Sequence, residues 1–314
     1  MRRATSNTLV YLIYGRGTHH DEAVYSMLSA LDWIRQTPDD YRVVAYTDDP
    51  AALHRLPVQV EHIGPAILSD WHGPQRFNHR AKIAVARHAL ERFGGRMLLC
   101  DSDTWFVRHP GKAFARIGRG RSLLHVAEYR LGDRCARTLA ESLAGHAFHD
   151  RSRARWVIGA PTVMFNSGAV GLHEADLAVL DEVLHLTDQI YAHVRLPTVE
   201  QLAFSVCLPR FTRVRQCYDV IHHYWPPDIR AEFNSSLARV LHEAPIPPRD
   251  EQYELLRPWA PKVPVQPLQW GRPRLARRLR ARARHAIVRA SELSGTRHSL
   301  RRVMTWLQQT SLFG

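Results

Sequence analysis

Short apolar runs alternate with amphipathic stretches over the first hundred residues of the chain. Four of these runs predict buried strands, at residues 9–14, 42–47, 58–63 and 97–100. Between them, residues 23–34 and 79–93 carry apolar side chains at helical spacing. Strands that alternate with helices indicate a parallel sheet built from right-handed crossovers. The sequence therefore predicts an α/β fold with a mainly parallel sheet flanked by helices.

Beyond residue 120 the predicted elements follow each other less regularly. Apolar runs predict strands at residues 122–127, 162–165 and 219–221. Helical spacing predicts helices at residues 135–148, 177–194 and 199–207. Many prolines between residues 245 and 267 indicate a linker. The chain is therefore expected to divide into an α/β domain at residues 1–244, a proline-rich linker at 245–270 and a basic amphipathic helical tail at 271–314.

The positive charge of the chain is concentrated in this tail. The 314 residues carry a formal net charge of +13, and eleven arginines but only one acid lie between Gly271 and Arg302. On a helix, the leucines, isoleucine and alanines of the segment share one side, and arginines cover the rest. An apolar side beside a basic one favours an anionic membrane surface over a nucleic-acid groove. A helix packed on the α/β domain is the alternative.

The sequence predicts neither a membrane span nor a disulfide framework. No window reaches 18 apolar residues, and the apolar run at residues 8–14 is too short for a signal peptide. The four cysteines are scattered and lack the spacing of metal ligands, which is typical of reduced cytosolic thiols. We therefore expect a cytoplasmic protein, with peripheral attachment to the inner membrane face as the role of the tail.

An acidic motif follows the fourth predicted strand. Asp101-Ser102-Asp103 comes directly after the apolar residues 97–100. In open α/β sheets, ligands bind beyond the carboxyl ends of the strands. Residues two apart in an extended segment point the same way, so Asp101 and Asp103 can bind a divalent cation that carries a diphosphate on its far side. Taken alone, the motif could also be a solvated turn or a helix cap.

Four further patterns accompany the acidic motif. In chain order they are Tyr14-Gly15, Lys82 within Asn78-His79-Arg80-Ala81-Lys82, Phe165-Asn166-Ser167-Gly168, and Glu200-Gln201 coupled with His222-His223-Tyr224. Together with the Asp-x-Asp motif they resemble, over roughly residues 8–230, a nucleotide-sugar-dependent glycosyltransferase of the GT-A fold, and most of all the glycogenin and bacterial galactosyltransferase type. The resemblance implies a Rossmann-like GT-A sheet. It also implies transfer of a sugar from a nucleoside diphosphate sugar, with a UDP-sugar favoured, to a saccharide or lipid-linked acceptor.

The resemblance further implies binding roles for individual residues. Asp101, Asp103 and His223 would bind Mn²⁺ or Mg²⁺, with His222 as the alternative histidine ligand. The donor would be bound by Tyr14, Gly15, Lys82, Asp101, Ser102, Asn166, Ser167 and Gly168. Each of these patterns also occurs as ordinary structure, as a strand-end glycine, a surface lysine, a turn or a structural histidine.

Two catalytic candidates follow from the same resemblance. Glu200 and Gln201 would lie at the reacting sugar, with Glu200 as the base if the enzyme inverts the sugar configuration. The family's later Gly and Lys-Pro-Trp elements are not evident, and Trp225-Pro226-Pro227 follows the histidines instead. The identity of the donor and the stereochemistry of transfer therefore stay open.

Other classes of protein fit the sequence less well. Phosphatases of the haloacid dehalogenase type also begin with Asp-x-Asp, but Trp105 stands where they have threonine or valine. A metal-dependent nucleotidyltransferase would show a longer Gly-rich loop than Gly15-Arg16-Gly17-Thr18, followed by a lysine. No Gly-x-Ser-x-Gly elbow supports a serine hydrolase. A non-catalytic α/β protein whose basic tail binds membrane or nucleic acid is the remaining alternative.

Overall fold

A seven-stranded sheet forms the centre of the computed structural model, which describes residues 7–35, 37, 40–53, 56–242 and 248–261. The strands of the described residues are β1 (Asn7–Ile13), β2 (Tyr41–Thr47), β3 (Gln59–His62), β4 (Arg96–Cys100), β5 (Thr104–Phe106), β6 (Leu123–Arg130), β7 (Val163–His173), β8 (Arg215–Gln216) and β9 (Ile221–His223). The sheet order is β3-β2-β1-β4-β7-β6-β8, and β5 pairs separately with β9.

Most neighbouring strands of the central sheet run in the same direction. The pairs β1·β2, β1·β4, β2·β3 and β6·β8 are parallel. Only β7 runs against its neighbours β4 and β6. The predicted fold class, an α/β protein with a mainly parallel, Rossmann-like sheet flanked by helices, is therefore confirmed for the described residues.

Helices cover both faces of the sheet because its strands are apolar on both sides. They are α1 (His19–Ile34), α2 (Pro65–His72), α3 (Arg80–Phe93), α4 (Gly111–Phe114), α5 (Arg137–Leu143), α6 (Ala178–His193), α7 (Val199–Phe211), α8 (Pro227–His242) and α9 (Arg249–Leu256). Val10 of β1 belongs to the core under α3, α6 and α7. The next residue, Tyr11, belongs to the core under α1, α8 and α9, as the alternation of a strand requires.

The largest difference from the predicted elements concerns β7. The sequence predicts that this strand ends at Phe165, before Asn166-Ser167-Gly168, but the strand continues to His173. The continuation is stabilised by antiparallel pairing with β4, in which Ala169 lies opposite Cys100 and Val170 opposite Leu99. Asn166, Ser167 and Gly168 therefore lie within a strand at the centre of the sheet, next to the carboxyl end of β4.

The described part of the proline-rich stretch is partly helical and contacts α1. Its described part, residues 248–261, contains α9, and Leu256 is fully buried. The reason is an aromatic cluster: the Tyr253 and Phe233 rings lie 5.8 and 5.0 Å from the ring of Tyr25 on α1. The division into domains at residues 244 and 270 stays a prediction, and the predicted tail at 271–314 lies outside the described residues. In the part of the chain that is described, no helix has the length and apolarity needed to cross a membrane.

Candidate active site

The acidic motif lies where two strand pairs meet. Asp101 follows β4 directly, and its backbone N–H donates to the Gly168 carbonyl at 2.9 Å, which extends the pairing with β7. Asp103 precedes β5, whose first residue, Thr104, lies opposite His223 in β9. The Tyr224 N–H donates to the Asp103 carbonyl at 3.0 Å. Backbone pairing therefore brings together residues more than a hundred positions apart in the chain.

Three side chains at this point form a group that can bind a cation. One oxygen each of Asp101 and Asp103 and one ring nitrogen of His223 all lie within 4.8 Å of one another. Asp103 and His223 are buried, whereas 30% of the Asp101 side chain is exposed. Carboxylate oxygens and a neutral imidazole are ordinary ligands of Mn²⁺, and carboxylates also bind Mg²⁺. Among the described residues, this is the only group of three or more His, Cys, Asp or Glu side chains close enough to hold a metal.

Hydrogen bonds fix the orientation of the His223 ring. Asn166 Nδ2 donates to Glu128 at 3.1 Å, so its Oδ1 faces His223 Nδ1, at 2.9 Å. Nδ1 is therefore the nitrogen that carries the hydrogen, and Nε2 faces Asp103 Oδ1 at 3.1 Å. A histidine oriented in this way by a hydrogen bond to its other nitrogen is typical of metal ligands.

Asp103 and His223 also shift each other's pKa. Burial raises the pKa of Asp103, but the neighbouring His223 and Arg230 outweigh burial and hold it well below its usual range. Burial lowers the pKa of His223, but Asp103 outweighs burial and raises it. Without a cation, Asp103 is therefore an anion, and a proton on Nε2 is stabilised. A cation bound at this nitrogen would displace that proton.

Lys82 connects the motif to a third carboxylate. Its Nζ lies 2.7 Å from Asp101 Oδ1, 3.3 Å from Glu200 Oε1 and 3.3 Å from Ser167 Oγ. Burial lowers the pKa of Lys82, but Asp101 and Glu200 raise it by more, so the side chain stays charged. Lys82, Asp101, Ser167 and Glu200, all predicted from the sequence, are thus in direct contact.

A second cation lies on the other side of the motif. Arg230 of α8 donates from Nε and Nη2 to Glu22 of α1, each at 2.6 Å, and its Nη1 lies 3.2 Å from Asp103 Oδ2. Glu22 is fully buried. Burial raises the pKa of Glu22, but hydrogen bonds from Arg230, His19 and Asn234 outweigh burial and lower the pKa to about 2. Glu22 is therefore an anion at neutral pH.

The balance of charge at the motif fits one divalent cation. The four carboxylates in contact with these two cations are Glu22, Asp101, Asp103 and Glu200. Once a cation has displaced the proton from His223 Nε2, the group keeps two net negative charges, because Lys82 and Arg230 are the cations other than histidines that form its salt bridges within the described residues. Buried charge needs a partner. The residues present therefore fit Mn²⁺ or Mg²⁺ in both ligand chemistry and charge.

The predicted sugar-binding residues surround a carboxylate that was not predicted. Glu128, near the end of β6, accepts from Asn166 Nδ2 at 3.1 Å and from Gln201 Nε2 at 3.2 Å. Gln201 Oε1 in turn accepts the Ser167 N–H at 3.4 Å. These four residues form a polar network beside the metal ligands. Nothing in the sequence marked Glu128, because a single acid after an apolar strand is common.

Two predicted donor-binding residues lie further along the same sheet edge. The Tyr14 hydroxyl donates to the Asn78 carbonyl at 3.0 Å, and its ring lies 5.4 Å from the ring of His72. Gly15 has a φ of +82°, and its N–H donates to Asp48 at 3.0 Å. Among the contacts of the described residues, none joins Tyr14 or Gly15 to the metal ligands, so their role as a nucleotide platform stays a prediction.

The last two predicted residues point away from the cluster. The Ser102 hydroxyl donates to Glu22 Oε2 at 3.0 Å. His222 lies opposite Trp105 in the small sheet, with 5.6 Å between the ring centres, whereas His223 faces Asp103. The alternation of β9 thus distinguishes the two histidines: geometry favours His223 as the ligand.

This distinction predicts different effects of two alanine substitutions. His223→Ala is expected to weaken Mn²⁺-dependent binding of UDP by about 10–100-fold, as for other losses of metal-site support. His222→Ala is expected to change it by less than about threefold, because its ring packs on Trp105. Isothermal titration with UDP at fixed Mn²⁺ measures both. The reverse order of effects would contradict the assignment of His223.

Comparison with known proteins shows a likeness in structure but not in sequence. No protein-family model and no curated protein sequence matches the chain. The fold is similar to the crystal structure of mouse xyloside xylosyltransferase 1 in its apo form, with a TM-score of 0.46 and 12% sequence identity over 68% of this chain and 85% of that chain. At this level of likeness, the function has to be inferred from the site itself.

Proposed function

We propose that the chain is a metal-dependent glycosyltransferase of the GT-A fold. It would move a sugar from a nucleoside diphosphate sugar, with a UDP-sugar favoured, to a saccharide or lipid-linked acceptor. The observation that carries this proposal is the cluster of Asp101, Asp103 and His223 at the carboxyl end of β4, with two net negative charges left around it. The glycogenin and bacterial galactosyltransferase type remains the proposed relationship, on the motifs of the sequence.

The chain's own residues divide the work of transfer between two sides of the cluster. Asp101, Asp103 and His223 would hold Mn²⁺ or Mg²⁺, which would act as a Lewis acid and neutralise charge on the departing nucleoside diphosphate. Lys82 holds the partly exposed carboxylate of Asp101 in place through a contact of 2.7 Å. Asn166 fixes the hydrogen of His223 on Nδ1. Tyr14 and Gly15 would seat the nucleotide.

The donor sugar would lie against the polar network on β7 and α7. Ser167 and Gln201 present hydroxyl and amide groups there, as proposed from the sequence. Glu200 is buried and paired with Lys82 at 3.3 Å, which favours a role in fixing that lysine over a role as a free base. The geometry therefore supports the alternative in which Glu200 and Gln201 line the reacting centre.

Thermal-shift screening of sugar nucleotides tests the proposal. The full chain is expected to gain melting temperature with at least one nucleoside diphosphate sugar in the presence of Mn²⁺, and to lose that gain in excess EDTA. Binding of a ligand at a hundred times its Kd stabilises a protein by about 2.7 kcal/mol, which is readily measured. Asp103→Asn serves as the control and is expected to show no Mn²⁺-dependent gain. A panel that shifts with no sugar nucleotide would favour the non-catalytic alternative.

The tail at residues 271–314 is proposed to attach the enzyme to an anionic membrane. Each arginine near such a surface contributes roughly 1 kcal/mol, and salt weakens the attraction. Deletion of residues 271–314 is therefore expected to release the protein from anionic liposomes while donor hydrolysis stays near normal. Flotation with anionic and zwitterionic vesicles at low and high salt measures this. Equal partitioning of the full-length and truncated proteins would contradict the membrane role.

A further inference from the structure

A buried ion pair between two helices lies directly behind the metal ligands. Glu22, in the first turn of α1, is fully buried. Its Oε1 accepts from Arg230 Nε at 2.6 Å and from Asn234 Nδ2 at 2.7 Å, and its Oε2 accepts from Arg230 Nη2 at 2.6 Å. Arg230 and Asn234 belong to consecutive turns of α8. The carboxylate is thus held in one orientation by a planar, two-pronged guanidinium.

The same pair contacts the last two residues of the acidic motif, Ser102 and Asp103. The Ser102 hydroxyl donates to Glu22 Oε2 at 3.0 Å, and the third nitrogen of the guanidinium, Nη1, lies 3.2 Å from Asp103 Oδ2. Glu22 therefore holds the residue between the two acidic ligands, and Arg230 holds the second ligand itself.

Stability alone does not account for this arrangement. Burying two charges costs desolvation that their attraction often fails to recover, so apolar residues of similar volume usually serve a core equally well. Here α1 and α8 already share an apolar core with Phe233 and Leu237. A charged pair kept at this point, and aimed at Asp103, indicates a role in the site.

We propose that Glu22 and Arg230 are positioning residues that hold Asp103 for cation binding through Oδ1. Arg230 Nη1 contacts Oδ2 of Asp103. Oδ1 of Asp103 faces His223 Nε2 at 3.1 Å, on the side where the cation would bind. This inference rests on the proposed function, because it takes Asp103 as a metal ligand.

Mn²⁺ binding tests the inference without requiring sugar transfer. Glu22→Gln keeps the shape of the side chain but removes the charge that orients Arg230. Arg230→Lys keeps the charge but cannot contact Glu22 and Asp103 in the same planar geometry. In each folded variant, the affinity for Mn²⁺ in the presence of UDP, measured by the paramagnetic resonance of free Mn²⁺, is expected to fall about 10–100-fold. Asp103→Asn is expected to fall at least as far.

The matched control is Asp188→Asn, which breaks another two-pronged arginine–carboxylate pair. Arg80 of α3 donates to Asp188 of α6 at 2.7 and 3.1 Å, and neither residue contacts the metal ligands. Its affinity for Mn²⁺ is expected to stay within about twofold of wild type. This control separates an effect on Asp103 from a general loss of helix packing.

A double variant adds a second criterion that does not depend on one substitution. If Glu22 and Arg230 act as a unit on Asp103, Glu22→Gln combined with Arg230→Lys is expected to lose no more Mn²⁺ affinity than the more severe of the two single variants. Two results would overturn the positioning role, provided that Asp103→Asn still loses Mn²⁺ binding. One is additive losses of affinity in the double variant. The other is a folded Glu22→Gln or Arg230→Lys protein with wild-type affinity for Mn²⁺. Wild-type affinity in Asp103→Asn would instead overturn the proposed metal site.

Discussion

Replacing Asp103 by asparagine is expected to reduce sugar transfer by at least about a thousandfold while the fold stays intact. The substitution removes the charge of one ligand, and Lewis-acid stabilisation of the leaving group is worth several kcal/mol, with about 1.4 kcal/mol for each tenfold in rate. Asparagine fills the same volume, and Arg230 keeps its two bonds to Glu22. Asp101→Asn is expected to have an effect of the same size, because Asp101 supplies another oxygen to the cluster.

Transfer from the active donor of the thermal-shift panel, followed with and without Mn²⁺, measures both effects. Melting temperature and near-ultraviolet circular dichroism report on the fold. Asp188→Asn, which breaks an ion pair between α3 and α6, is the control for the loss of a carboxylate elsewhere. Full turnover of Asp103→Asn, or of the wild-type protein in excess EDTA, would contradict the metal-dependent mechanism.

The fold could be predicted where the sequence pattern is local. Residues 42–47 and 97–100 are apolar runs bounded by polar turns, and β2 and β4 lie within one residue of them. The continuation of β7 was not predictable, because Asn-Ser-Gly is typical of turns. There the long-range pairing of Ala169 with Cys100 overrides the local preference.

Residues of the site that belong to recognisable sequence motifs could be predicted. Asp101, Asp103 and His223 meet as expected, and Lys82 and Ser167 lie beside them. The choice between His222 and His223 needed the register of β9, which sequence spacing does not give.

Three residues of the site carry no sequence signal. Glu22 lies in the polar stretch His19-His20-Asp21-Glu22, Glu128 is a single acid after the predicted strand, and Arg230 is one of many arginines. Their importance comes from contacts across the fold: Glu22 and Arg230 are 208 residues apart in the chain. Such pairs are set by the packing of α1 against α8, and a single sequence contains no pattern for it.

Gly168 shows why one backbone position in the site excludes any side chain. A Cβ on Gly168 would collide with the His223 ring, at Nδ1 and at 2.6 Å from Cε1 and 2.8 Å from Cγ. The ring has little freedom to move, since it is buried and bonded to Asn166 and Asp103. The backbone of Gly168 itself belongs to β7, where other residues would fit. The glycine is therefore required by its neighbour and not by its own conformation.

Gly168→Ala is accordingly expected to reduce transfer by about a hundredfold or more, with a loss of about 1–3 kcal/mol in the free energy of unfolding from overpacking. The added methyl group must push the imidazole off its bonds to Asn166 and Asp103, and a displacement of about 1 Å at a reacting centre costs roughly a hundredfold. Mn²⁺ affinity should fall with it, by about 10–100-fold, as when a metal ligand loses its support.

Gly64→Ala is the matched control, because a Cβ there meets no atom within 4 Å and its φ is −79°. Titration of Mn²⁺ into both variants, beside transfer assays, separates the two causes of loss. A Gly168→Ala protein that binds Mn²⁺ as tightly as Gly64→Ala would show that His223 is not a metal ligand, because its ring could then be displaced without consequence.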